Sequence, residues 1–153
     1  MKDNAGELHQ KAMALHAKIL EGETLKTLFT WEYRALPLYE MHKSGLYKYL
    51  YGDSGGETED IKWAQYLRGT DILPSTDWRL RKLVEYWVEN LNYSPEKLRN
   101  TDTKKLTEAI QYIEKGVVTP EEVIEKALIE SVCRRDGKDF TPFLEFKKWL
   151  REL

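Results

Sequence analysis

Between Ser75 and Asn92 the apolar residues fall at helical intervals. Leu80, Leu83, Val84, Trp87 and Leu91 stand at i, i+3, i+4, i+7 and i+11, a continuous stripe along one face. Ser75 or Asp77 suits the start, since either can accept from the orphan backbone N–H groups of a first turn. Arg79, Lys82 and Tyr86 turn away from the stripe, with Arg81 beside them. One face of this helix therefore suits a core, and the other carries cations next to an aromatic ring.

The same period organises the rest of the chain. Leu8, Ala12, Leu15 and Ile19 mark a helix over residues 4–21 that Gly22 is placed to stop. Leu25, Leu28 and Phe29 mark a second helix over 24–36, which Pro37 breaks or kinks because proline lacks the donor and crowds the preceding turn. A further helix over 38–51 turns Leu46 and Leu50 inward, and a short one over 57–68 uses Ile61, Trp63, Ala64 and Leu67. Ser94-Pro95, Thr119-Pro120 and Thr141-Pro142 each set a hydroxyl before a proline, the signature of a helix start. Thr119 with Glu122 completes a capping box. Helices over 95–100, 103–115, 120–135 and 142–152 follow, with Gly116 and Gly137 as stops. No segment alternates at period two for long enough to be a strand. The expected fold is one all-α domain over 1–153, a bundle of seven to nine short helices without a sheet. The glycine-rich segment 52–57 is its one soft join. Trp87 and Trp149 should be buried, and Trp78, one residue off the stripe, the most accessible tryptophan.

Composition narrows the class of protein. A chain of 153 residues can bury a real core unaided, and 33% charged residues fit long solvated helix faces. With 24 Lys+Arg against 26 Asp+Glu, the net charge of −2 argues against coating nucleic acid by bulk electrostatics but leaves room for a local basic patch. The single cysteine, Cys133, excludes an internal disulfide and reads as a buried, inert thiol on an apolar stripe, although Arg134 and Arg135 follow it. No apolar run approaches the length of a membrane span and the N-terminus carries no signal-like apolar core, so the expected location is the cytoplasm.

Catalytic chemistry is not indicated. His9, His16 and His42 lack a nucleophile or carboxylate at motif spacing, and His9 and His16, about 10 Å apart along a helix, are too distant to chelate one ion and read as surface residues. The acids of 53–60 would repel a phosphate from the Gly55-Gly56 turn and do not alternate like a calcium loop. The expectation is a non-catalytic domain without a cofactor. What stands out is a basic-aromatic strip: Trp78, Arg79, Arg81, Lys82 and Tyr86, then Tyr93, Lys97, Arg99, Lys104 and Lys105. Guanidinium and ammonium groups hold phosphates while aromatic rings stack on unpaired bases, so this strip is the candidate site for a single-stranded nucleic acid.

Gly52-Asp53-Ser54, Glu57 and Asp60, followed by Ser75, Asp77, Leu83 and Trp87 and then Ser94-Pro95-Glu96-Lys97, resemble the small helical domain that follows the core of plasmid and phage primase-polymerases. The resemblance covers about fifty residues in loosely spaced fragments. It implies a helical accessory that binds template DNA and nucleotide. The paired catalytic acids of the polymerase core are missing, so priming chemistry would come from another chain or domain. The competing class is a protein-interaction adaptor, a homodimer, or a small helical subunit of a larger assembly such as a CRISPR effector complex. Its contact patch would draw on Tyr39, Tyr47, Tyr51 and Trp63.

Overall fold

The computed structural model describes residues 5–25, 30–50 and 62–153. Among them the chain is all-α: nine α-helices, no strand, and one isolated antiparallel bridge between Thr101 and Leu128. Leu28, Phe29, Tyr51, the segment 52–57 and the acids through Asp60 lie outside the described residues. The chain divides into two compact units, Met1–Glu85 and Tyr86–Leu153.

In the first unit, α1 (Ala5–Leu25) buries Ala12 and Ile19 and leaves Leu8 and Leu15 half-buried. It runs through Gly22 rather than ending there. His9 and His16 are half-buried rather than on the surface, because both are used to dock α1. His9 Nδ1–H donates to the Tyr49 carbonyl, and His16 Nδ1 pairs with the Tyr66 hydroxyl at 3.0 Å. Pro37 is accommodated inside a helix. A π-turn, Trp31–Ala35, immediately precedes α2 (Leu36–Lys43) and buries Trp31 and Ala35. The wider turn gives the proline ring the room that an α-turn denies it. The helix expected over 38–51 ends early. Gly45 takes a left-handed φ of 67°, which favours glycine, and a 3-10 turn, Leu46–Tyr49, returns the chain toward α1.

α3 (Trp63–Arg68) leads through a fixed turn into α4 (Pro74–Val84). Thr70, fully buried, donates its hydroxyl to the Leu67 carbonyl and accepts from the Ile72 N–H. Leu73, not Ser75 or Asp77, occupies the N-cap of α4, with Pro74 at its first position. Leu80, Leu83 and Val84 are buried as the stripe requires, and α4 packs on α2 and on the π-turn before it.

The second unit opens within a π-turn, Glu85–Asn90. Trp87 is 0% exposed, and its indole N–H donates to the Leu106 carbonyl. Next come α5 (Pro95–Leu98), α6 (Thr103–Glu114), α7 (Pro120–Lys126), α8 (Glu130–Asp136) and α9 (Phe143–Arg151), with α6 packed on α7 and α9. Ser94 and Thr119 cap α5 and α7 through their hydroxyls. The helix expected over 120–135 is cut in two. The Ala127 carbonyl accepts from Asp102 N–H, and Ile129 N–H donates to the Asn100 carbonyl, so both groups are withdrawn from the helical ladder. Pro142 is the N-cap of α9 rather than its first residue. Trp149 is only half-buried, against expectation; Cys133 is buried and Trp78 is the most exposed tryptophan described.

Candidate nucleic-acid interface

Two helices of the first unit carry one pattern. Tyr39-Glu-Met-His42-Lys43 on α2 and Trp78-Arg-Leu-Arg81-Lys82 on α4 each set an aromatic residue at i and basic groups at i+3 and i+4. Positions i, i+3 and i+4 share one helix face. The i+2 residues, Met41 and Leu80, are buried, which fixes each helix with its basic-aromatic face outward. Because α2 packs on α4, those faces meet across a groove of about 560 Å³ lined by Tyr39, His42 and Lys43 on one side and Trp78, Arg81, Lys82 and Glu85 on the other.

The cations are arranged over rings. Lys82 Nζ lies 4.9 Å from the Trp78 ring centroid and Lys43 Nζ 5.3 Å from that of Tyr39. Such cation–π contacts hold ammonium groups beside an aromatic surface without consuming their charge. Arg81 is held differently. Its Nε and terminal nitrogen donate to Asp77 at 2.9 and 2.8 Å, and the carboxylate also accepts from the Trp63 indole at 2.9 Å. The Arg81 guanidinium lies 5.5 Å from the Trp63 centroid. His42 stands edge-on to Trp63, with centroids 4.9 Å apart. Trp63 in turn stacks on Tyr66 at 5.1 Å and touches Tyr47. The groove is thus backed by a packed aromatic cluster. Tyr47 and Trp63, expected to serve an adaptor surface, are half-buried members of that cluster.

Electrostatically the groove is mildly positive. Its lining carries Lys43, Arg81 and Lys82 against Glu85, with Arg81 paired to Asp77. The His42 pKa is lowered from 6.5, first by burial and then by Arg81, with Asp77 acting the other way. Among the described residues, no group of three His, Cys, Asp or Glu side chains gathers to hold a metal ion, and no helix is long and apolar enough to cross a membrane.

The sequence-derived strip is divided between the units. Trp78, Arg79, Arg81 and Lys82 belong to the first, and Arg79 does not line the groove. Tyr86, Tyr93, Lys97, Arg99 and Lys104 belong to the second. There, Tyr93 donates to Glu121 at 2.9 Å and Lys97 donates to both oxygens of the same carboxylate. Lys97 first, and Tyr93 after it, hold the Glu121 pKa below its usual value. Tyr86 is half-buried, edge-on to Trp87. Lys104 and Arg99 are exposed. Lys105, read as part of the strip, is buried, and its ammonium donates to the Thr141 carbonyl. Of the groove residues, Tyr39 was expected to serve an adaptor patch, and His42 and Lys43 were not assigned to any binding site. The repeated aromatic-x-x-basic-Lys spacing was the signal that would have found them. No protein-family model, no curated protein and no solved structure matches this chain.

Proposed function

We propose that the protein is a non-catalytic helical module that binds single-stranded nucleic acid in the groove between α2 and α4. The observation that carries this reading is the pairing of two exposed-face aromatic residues, Trp78 and Tyr39, with Lys82 and Lys43 on facing helices. With Arg81 paired to Asp77 and Glu85 in the lining, the groove holds too little positive charge for duplex binding driven by phosphates. Stacking of unpaired bases, worth about 1–3 kcal/mol each, then supplies most of the affinity. An accessory role in a replication or priming complex, as the resemblance implies, is the setting proposed for this module. Titration of short single strands and of the matching duplex at low salt tests the reading. Single strands bind and duplex does not, and Trp78→Ala weakens binding about tenfold without unfolding an exposed site. Equal binding of duplex, or an unchanged Trp78→Ala variant, refutes it.

A protein-adaptor reading has one observation of its own. On α9, Leu144 is 77% exposed. Light scattering that shows a stable dimer indifferent to oligonucleotides would favour it.

A further inference from the structure

The Trp78 indole borders a second groove, and the geometry points to that groove as a slot for one unstacked base of the strand held by Lys43 and Lys82, purine before pyrimidine. This inference rests on the single-strand reading. The second groove, of about 890 Å³, shares Trp78 and Arg81 with the first, so the two border one another at these side chains. Its walls are apolar: Trp63 and Leu67 from α3, and Leu73, Pro74 and Trp78 from the start of α4. Leu73 is 66% exposed and Trp78 59%, an unusual display of large apolar surface at one helix start.

The wall is fixed before any ligand arrives. Thr70 ties the turn from both sides, and Asp71 holds a left-handed φ of 60° that non-glycine residues seldom adopt. The polar group deepest in the wall, the Asp77 carboxylate, is already committed to Trp63 and Arg81. What the slot offers an occupant is therefore the Trp78 ring and aliphatic carbon, with Arg68 and Asp71 also among its lining residues. That division matches a nucleobase, whose faces are apolar and whose edge carries both donors and acceptors. A lipid tail would leave the guanidinium and carboxylate unanswered. Purines follow from the chemistry of stacking, because the larger ring system covers more of an aromatic wall.

The experiment uses the full chain and strands of equal length and charge: a homopurine strand, a homopyrimidine strand, and a homopurine strand with one abasic position. The intact purine strand should bind tightest, about tenfold above the abasic one at its best register. Leu73→Ser, at an exposed position that does not hold the fold, should erase the difference between intact and abasic strands and leave the salt dependence unchanged. Leu144→Ser on α9 serves as the control and should change neither. If abasic and intact strands bind alike while Lys82→Ala still weakens both, the base slot is wrong and the phosphate-binding groove stands. If no strand binds at low salt, both readings fall together. If the protein self-associates and Leu73→Ser makes it a monomer that binds strands as before, the slot belongs to a second copy and the inference is overturned.

Discussion

Asp77 shows how one side chain sets the character of the groove. Asp77 is 1% exposed, yet its carboxylate accepts three bonds, one from Trp63 and two from Arg81, which tie the guanidinium to the start of its own helix. In the sequence it reads as a helix cap, because an acid near a helix start is usually one. Its true partner, Trp63, sits on another helix at a distance that periodicity does not encode. His42, on the facing helix, is the group in this groove that titrates near neutrality. Burial and Arg81 keep it neutral at pH 7, so a phosphate in the groove must draw a proton onto it. Strand affinity should therefore rise as pH falls below about 6.5, and His42→Gln should flatten that rise. The same lowered values at His42 and His16 act against the fold. The unfolded chain binds more protons than the folded one below 6.5, so stability present above that pH is lost as pH falls toward the lowered values. Affinity and stability measured on the same pH series should move in opposite directions. A pH-independent affinity would remove His42 from the site.

At the scale of elements, the stripes were legible and their interruptions were not. Leu106, Ala109 and Ile110 on α6 are buried where the period puts them. The break between α7 and α8 depends on backbone bonds to residues 100–102, which no local pattern announces. The same holds for the π-turn that makes room for Pro37. Lys105 is the sharpest case. Beside Leu106 it looks like one more solvated cation, but it is 0% exposed, with its ammonium on the Thr141 carbonyl and 4.3 Å from the Phe140 ring centroid. Burial pushes its pKa below the ordinary lysine range. Its stem fills the seam where α6 meets α9, and its charge is costly there. Lys105→Met keeps the stem's volume and removes the charge, so it should leave stability unchanged or raise it by about 1–2 kcal/mol. Lys105→Ala removes the same donor but also leaves a cavity, and should cost about 3 kcal/mol. Urea midpoints decide the matter. Equal loss in both variants would mean that the ammonium–carbonyl bond, not the stem, holds this seam.

At the scale of the whole molecule, charge and chain division bear on where a strand could bind. A net charge of −2 leaves room for a local basic patch. The run of cations from Arg79 to Lys105 looked like one strip because the residues are neighbours in sequence, yet the chain divides between Glu85 and Tyr86 in the middle of it. The groove instead pairs residues from two helices within the first unit, nearly forty positions apart in sequence. This difference has a thermodynamic consequence. A strip built from those seven cations would release several counterions on binding a single strand. On the proposed reading the groove would engage at most roughly two phosphates, through Lys43 and Lys82, because Arg81 is bonded to Asp77. At about 0.7 per contact for single strands, log K should fall with log salt at a slope near −1.4. Lys43→Ala with Lys82→Ala should bring that slope close to zero while weak, salt-insensitive stacking persists. Lys97→Ala and Lys104→Ala, both in the second unit, should leave slope and affinity as they were, the more so because Lys97 is bound to Glu121. A slope of about −3 or steeper that Lys104→Ala lessens would restore the strip and remove the groove as the phosphate site.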